Sequence, residues 1–402
     1  IQPDGKIVAA GITYTSANDQ MIIARYNPNG TPDATFATGG RQVFDIGAAQ
    51  ELLSAVAVQP DGKIVAAGYV LAAANDLDMA VVRLNTNGSF DTSFSGDGWT
   101  TLSYGTDCAA WGLALQVDGR IVTAGYANPN GDYVGLIARF MPNGSPDLSF
   151  NATGAVLYTH NAGSSQDEFW DVVIQPDQKL VAIGSTFEPE GDLLFTRFSS
   201  TGALDMAYGT GGAQLIDVAG TLDKSWAGYQ QPDGKLVAVG LNQLAAGNRQ
   251  VVVARLGTNG SRDAGFGTNG IATVDVGSAN DAGLGCAMAA DGDVLVTGYT
   301  ENNSAYNAYL LRLQGAVEVG VDERTMATNL TAYPSPFTHR LTVELADHMG
   351  PLPTLQVRDL LGRSVPVHVQ RTALGEGTFQ LSVAFPSESA AGIYFIEVPS
   401  QG

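Results

Sequence analysis

Apolar residues along this chain fall in short runs, separated by turns rich in Gly, Asn, Asp and Pro, and nowhere at the spacing of a helix face. One arrangement of these runs repeats. An apolar run such as residues 55–58 leads into Gln59-Pro60-Asp61-Gly62-Lys63, and a second run, 64–68, leaves it. The same phrase stands at Gln2-Pro3-Asp4-Gly5-Lys6, Gln116-Val117-Asp118-Gly119-Arg120, Gln175-Pro176-Asp177-Gln178-Lys179 and Gln231-Pro232-Asp233-Gly234-Lys235, with a degenerate copy at Ala289-Ala290-Asp291-Gly292-Asp293. Its Asp residues, 4, 61, 118, 177, 233 and 291, are spaced by 57, 57, 59, 56 and 58. Two apolar runs joined by Asp-Gly predict a hairpin, because both residues tolerate the positive φ of a tight turn. A third run carries an arginine in every copy: Arg25, Arg83, Arg139, Arg197, Arg255 and Arg312. An Asp-x-x-aromatic step follows at Asp33/Phe36, Asp91/Phe94, Asp147/Phe150, Asp205/Tyr208 and Asp263/Phe266, and then a short fourth run such as 41–44 or 271–275.

Four strands per repeat and no helical period predict an all-β chain of antiparallel sheets. One such sheet cannot bury both faces alone, whereas stacking the copies around an axis buries them and leaves only short edges. The expected architecture over residues 1–315 is therefore a β-propeller of about six four-stranded blades, six or seven in the intact ring. Copy one starts at the hairpin, so its two leading strands are expected to be absent, and copy six ends just after Arg312. The recurring QPDGK…G…R…NG…D…F grammar resembles the delta-60 repeat family of bacterial extracellular or surface propellers. That resemblance implies the fold and export, and brings no catalytic residues with it.

After Gln314 the grammar stops. Residues 316–328 read as a linker, and residues 329–402 show a new pattern of short alternating strands that fits an Ig-like β-sandwich. Three motifs stand there in order: Tyr333-Pro334-Ser335-Pro336-Phe337, Asp359-Leu360-Leu361-Gly362-Arg363 and Ala391-Gly392-Ile393-Tyr394. Together they resemble the type A C-terminal sorting domain of the type IX secretion system of Bacteroidota, with the family's last strand expected to be missing. The resemblance implies that Tyr333, Pro334, Pro336, Phe337, Asp359, Gly362, Arg363, Gly392 and Tyr394 form the sorting motif. It also implies a secretion machinery as partner and a secreted or outer-membrane-attached product. An export signal is expected to precede Ile1, which stands in the middle of a repeat.

Composition narrows the partners. With 20 Lys and Arg against 40 Asp and Glu the net charge is −20, and no basic stripe exists to neutralise phosphates, which excludes nucleic acid. No apolar run approaches a membrane span. Cys108 and Cys286 fall in different repeats and are expected to be free thiols.

Candidate chemistry is sparse. Three of the four histidines, His339, His348 and His368, lie in the C-terminal part, leaving His160 in the repeats, so a histidine metal site or triad is not expected there. An acid precedes the hairpin strand in five copies, at Glu51, Asp107, Asp167, Asp223 and Asp281. Such a ring either binds divalent cations weakly or caps backbone amides in each blade, and its repetition favours capping. Trp111, Trp170 and Trp226 share one slot in three consecutive copies, where Ser54 and Leu284 stand in the flanking ones. They either present an aromatic patch to a sugar or peptide or extend the core beside Leu113, Leu115, Val172 and Ile174. The recurrent Arg and Asp are expected to clamp strands together. The function expected from these residues is a binding or scaffold propeller for glycan or protein, without a cofactor and not an enzyme. A polysaccharide hydrolase or lyase is the alternative, by fold analogy.

Overall fold

The computed structural model describes residues 1–314, apart from loop segments at 15–18, 48–49, 74–75, 161–165, 188–190, 219–221, 245–246, 278–279 and 303–304. Beyond these it describes the strands Leu330–Tyr333, Arg340–Leu345, Gln356–Asp359, His368–Gly375, Thr378–Ala384 and Tyr394–Glu397 with residue 367. Every described element is a strand, and the repeats form the blades of a β-propeller. Blade 3 shows the plan: an inner strand Cys108–Leu115, then Ile121–Ala127, Val134–Phe140 and the short outer strand Ala155–Tyr158, all antiparallel neighbours. The inner strands of blades 2, 4, 5 and 6 are Glu51–Val58, Asp167–Ile174, Leu222–Gln230 and Asn280–Met288.

Blades 2 to 5 have all four strands. Blade 1 has three, Ile7–Tyr14, Asp19–Tyr26 and Arg41–Phe44, and so lacks one leading strand rather than the two expected from the position of its hairpin. Blade 6 also has three among the described residues, and a single parallel bridge from Arg249 to Asn280 joins its inner strand to blade 5. The miscount arose because the strand entering the hairpin is the first strand of a blade, with no strand of the same blade before it.

Five apolar clusters fill the five successive blade interfaces. The cluster between blades 3 and 4, for example, packs Val122, Ala124 and Ile137 against Phe169, Val172 and Leu180. The others lie between blades 1 and 2, 2 and 3, 4 and 5, and 5 and 6. The alternation of apolar residues on both faces of each sheet thus covers neighbouring blades rather than a single core.

The recurrent arginine and aspartate meet. Arg25, Arg83, Arg139, Arg197 and Arg255 donate through Nε to Asp33, Asp91, Asp147, Asp205 and Asp263 at 2.7, 2.7, 2.8, 2.8 and 2.7 Å. Each guanidinium also lies over the aromatic ring of the same step, at 4.6, 4.7, 4.6, 4.5 and 4.7 Å. In four blades Nη1 reaches across to a carbonyl in the next blade's turn: Thr86, Pro142, Ser200 and Thr258. The hairpin cations Lys6, Lys63, Arg120, Lys179 and Lys235 approach the same five carboxylates at 3.0, 2.9, 2.9, 3.0 and 3.1 Å. One carboxylate therefore ties together the hairpin, the third strand and, through the arginine, the neighbouring blade. In blade 6 Arg312 takes Asp293 instead.

The C-terminal strands form a four-stranded antiparallel sheet, in the order Leu330–Tyr333, Arg340–Leu345, Thr378–Ala384, His368–Gly375. A separate pair joins Gln356–Asp359 to Tyr394–Glu397. By compactness the chain divides into a unit of Ile1–Met288 with Asp293–Glu318 and a unit of Val319–Gly402 with Ala289–Gly292. The linker expected at 316–328 lies outside the described residues.

Candidate functional site

Each inner strand from blade 2 to blade 6 carries a β-bulge, and the bulged residue is the tryptophan slot: Ser54, Trp111, Trp170, Trp226 and Leu284. The bulge needs a glycine opposite. A Cβ on Gly125, Gly184 or Gly240 would sit 1.8, 1.9 or 1.7 Å from the carbonyl oxygen of Ala109, Glu168 or Lys224. A bulge inserts an extra residue and re-aims its side chain. The slot consequently leaves the alternation that faces the neighbouring blades. Leu113, Leu115, Val172 and Ile174 pack in the apolar clusters, whereas the three indoles take part in none of the five. Ser54 is exposed and Leu284 is 49% exposed in the same slot.

The indoles form a half-buried row. Trp111 and Trp170 stack with ring centroids 5.0 Å apart, and Trp226 meets Trp170 edge-on at 6.5 Å. Tyr69 meets Trp111 edge-on at 5.9 Å, and Tyr126, itself against Tyr133 at 5.1 Å, lies 6.2 Å from Trp111. The indole N–H groups of Trp111 and Trp170 are themselves closed off from solvent and find no acceptor among the described residues. Two enclosed donors without an acceptor among the described residues are uncommon, since buried polar groups are normally paired.

Charged residues that break the repeat gather beside this row. Glu168 and Lys224 each stand two residues before a tryptophan, where blades 2, 3 and 6 have Leu52, Ala109 and Ala282. Burial pushes the Glu168 carboxyl up, against the pull of Lys224. Burial also pushes the Lys224 ammonium down, opposed by Glu168 and reinforced by the charge of Arg249. Lys224 Nζ lies 4.4 Å from the centre of the Phe187 ring. Burial raises the Tyr126 hydroxyl strongly, with Asp107, Tyr133 and Glu168 adding to it. Just after Trp170, burial raises Asp171 to about 6, although its carboxylate accepts from the amides of Gly228 at 3.0 Å and Val172 at 2.8 Å. Sequence reasoning passed over Glu168, Asp171, Lys224 and Tyr126. For Glu168, Asp171 and Lys224 the signal was present, because each is a charged residue in a slot that blades 2, 3 and 6 fill with a small or apolar one, whereas Tyr126 recurs as Tyr69 and Tyr299; their convergence depends on the stacking of blades.

The acids before the hairpin strand cap loops. Glu51 accepts from the amides of Ile46 and Gly47, Asp167 from His160, Asp223 from Val218, and Asp281 from Val276 and Gly277. Asp107 departs from the ring expected of it. It lies one residue early, and Cys108 occupies the slot, with Sγ donating to the Leu102 carbonyl at 3.0 Å. Asp107 instead faces the Leu77 amide at 3.3 Å. Asp192, Asp217 and Asp223 bring carboxylate oxygens within 4.8 Å of one another, a spacing a divalent cation could bridge, although both Asp223 oxygens already accept hydrogen bonds, one from Val218 and one from Asn242. Cys108 and Cys286 are free thiols, and burial pushes Cys108 up to about 11. His160 pairs through Nδ1 with the Tyr158 hydroxyl at 3.1 Å, away from the indole row.

Of the sorting-motif residues, Tyr333, Asp359 and Tyr394 lie in described strands, and Asp359 is the register partner of Tyr394. Pro334, Pro336, Phe337, Gly362, Arg363 and Gly392 lie outside the described residues.

Comparison with known families places the repeats. The β-propeller named Domain of unknown function (DUF5122) matches residues 2–36, 59–94, 116–150 and 231–266. Four repeats carry the signature of that propeller family. Each matched segment runs from the hairpin phrase to the aromatic that underlies the clamp arginine. No curated protein matches. Similar solved structures include a protein of unknown function from Dyadobacter fermentans, with 11% identity and a TM-score of 0.39 over 95% of this chain and 100% of that one. The polysaccharide lyase Uly1 has 10% identity and a TM-score of 0.38 over 95% and 88%. A PL25 ulvan lyase bound to -[GlcA(1-4)Rha3S]- has 11% and 0.39 over 86% and 88%. At these identities the likeness is one of fold. Polysaccharide lyases stand among these similar solved structures, against the expectation of a non-enzyme, and at these TM-scores they assign no activity to this chain.

Proposed function

We propose that this propeller binds a glycan along the tryptophan row of blades 3 to 5. The observation that carries the proposal is the placement of three half-buried indoles side by side on bulges, outside every apolar cluster. Flat, half-buried rings offer apolar area on which the face of a sugar can stack. On a glycan array, wild type is expected to bind a restricted set of sugars. A Trp111/Trp170/Trp226→Ala triple variant, shown by circular dichroism to be folded, is expected to lose at least tenfold, about 1.4 kcal/mol, in affinity. Absence of binding by wild type, or equal binding by the folded variant, contradicts the proposal.

Cleavage of the bound polysaccharide is the second reading. It is favoured by the non-repeated Glu168 and Lys224 beside the row, and the same two proteins incubated with the polysaccharide test it through new chain ends.

We also propose that residues 329–402 are a type IX sorting module and that the propeller acts at or beyond the outer membrane. The order of the three motifs supports this, as does the register that sets Asp359 of the second motif opposite Tyr394 of the third. Deletion of 329–402 from an export-competent precursor is expected to retain the propeller in the periplasm. Normal surface delivery without those residues contradicts the assignment.

A further inference from the structure

Cations are scarce in this chain, and most are already committed. Of 20 Lys and Arg side chains, eleven serve the blade clamps: Lys6, Arg25, Lys63, Arg83, Arg120, Arg139, Lys179, Arg197, Lys235, Arg255 and Arg312. Among residues 1–314 that leaves Arg41, Lys224, Arg249 and Arg262. Two of these four, Lys224 and Arg249, stand at the same end of the blade 5 sheet: Lys224 pairs with Leu241, and Arg249 with Gln243, the partner of Leu222, so the two lie two register positions apart across the second strand, and the charge of Arg249 disfavours that of Lys224. Lys224 stands on the inner strand of blade 5, two residues before Trp226, and its ammonium rests on Phe187 of blade 4. Arg249 opens the third strand of the same blade. Among the described residues no carboxylate lies within ion-pair distance of either, and Glu168 acts on Lys224 only through its field. Two like charges held near each other without a direct counter-ion, in a protein of net charge −20, cost free energy that a bound anion would recover.

We infer that the glycan is anionic, and that Lys224 and Arg249 receive its carboxylate or sulfate groups at the blade 5 end of the tryptophan row. The inference rests on the glycan reading of that row and names the class of sugar it takes. The indoles supply stacking area common to many sugars, whereas the two cations discriminate charged rings from neutral ones. Charge-assisted contacts of this kind strengthen at low ionic strength and weaken as salt screens them.

The test is calorimetric titration of the full chain with three probes: an oligogalacturonate hexamer, a dextran sulfate fragment of similar length and cellohexaose. At least one anionic probe is expected to bind tenfold or more tighter than cellohexaose, with affinity falling as salt is raised. The preferred probe distinguishes carboxylate from sulfate. A Lys224→Gln/Arg249→Gln double variant is expected to lose that preference, and Lys224→Arg/Arg249→Lys to keep most of it. If cellohexaose binds as tightly as both anionic probes, or if the folded Gln variant keeps the preference, the inference is overturned. Binding that still depends on the tryptophans would in that case leave the glycan reading standing. If none of the probes binds and the glycan array is also blank, both fall together.

Discussion

Replacing Arg139 by methionine is expected to cost about 3 kcal/mol of unfolding free energy, the lower end of the range for breaking a buried ion pair from one side. Arg139 is 4% exposed, and it donates to Asp147, to the Ser200 carbonyl of the next blade at 2.5 Å and to Ser149 Oγ at 3.3 Å. Methionine fills the stem and can still touch Phe150, so packing is largely kept and the polar connection is what is removed. The Asp147 carboxylate and the Ser200 carbonyl then lose a donor inside the protein. Arg120, 2.9 Å from Asp147, keeps the carboxylate from being wholly unpaired, which holds the cost to the low end. Arg139→Lys is expected to recover only part of the loss, because an ammonium cannot reach carboxylate, carbonyl and hydroxyl from one planar fork. Denaturant titrations of the three proteins check this, and a change below about 1 kcal/mol for Arg139→Met would place the clamp among ordinary surface pairs.

Stability is expected to peak on the acid side of neutrality and to fall in both directions. The clamp carboxyls are held below the usual range. For Asp147 burial alone would raise it, but the Ser149 hydroxyl and amide and the charges of Arg139 and Arg120 prevail. Asp33, Asp91, Asp205 and Asp263 shift the same way. A depressed carboxyl stabilises the folded chain above the unfolded value near 3.8 and stops doing so as pH falls through the folded value. Five such groups make the acid limb steep. Asp171 and Asp223 behave oppositely. Burial raises each from 3.8 to about 6, so the folded chain prefers them protonated, and stability is lost as pH climbs from 3.8 through 6. Each contributes on the order of 2 kcal/mol to that decline. Thermal melts across the range are expected to show the maximum between these limits. An Asp171→Asn variant is expected to flatten the alkaline limb, and a melting temperature that keeps rising to pH 8 would contradict the assignment.

The propeller was legible because its rules recur in register. Asp-Gly marks each hairpin, and an arginine eight residues before an aspartate marks each clamp, as in Arg139 and Asp147. Both act within one blade, or repeat identically from blade to blade, so a one-dimensional pattern contains them. The site was only half legible. The shared slot of Trp111, Trp170 and Trp226 is plain in the sequence, yet strict alternation assigns it to the core face beside Leu113 and Val172. The bulge overturns that, and its one trace in the sequence is the glycine seven residues after each hairpin aspartate, Gly125, Gly184 and Gly240, which reads equally well as an ordinary turn signal. A one-residue offset likewise put Asp107 where Cys108 stands. Glu168 and Lys224 come together only through the packing of blade 4 on blade 5, a relation that no spacing within a repeat expresses.

The account turns on whether the indole row is a surface that receives a ligand. A crystal structure of the full chain soaked with the tightest-binding oligosaccharide tests that directly. A sugar ring seated against at least one of Trp111, Trp170 and Trp226 is the predicted result. A saccharide bound elsewhere, with the three indoles enclosed by their own protein, would contradict it.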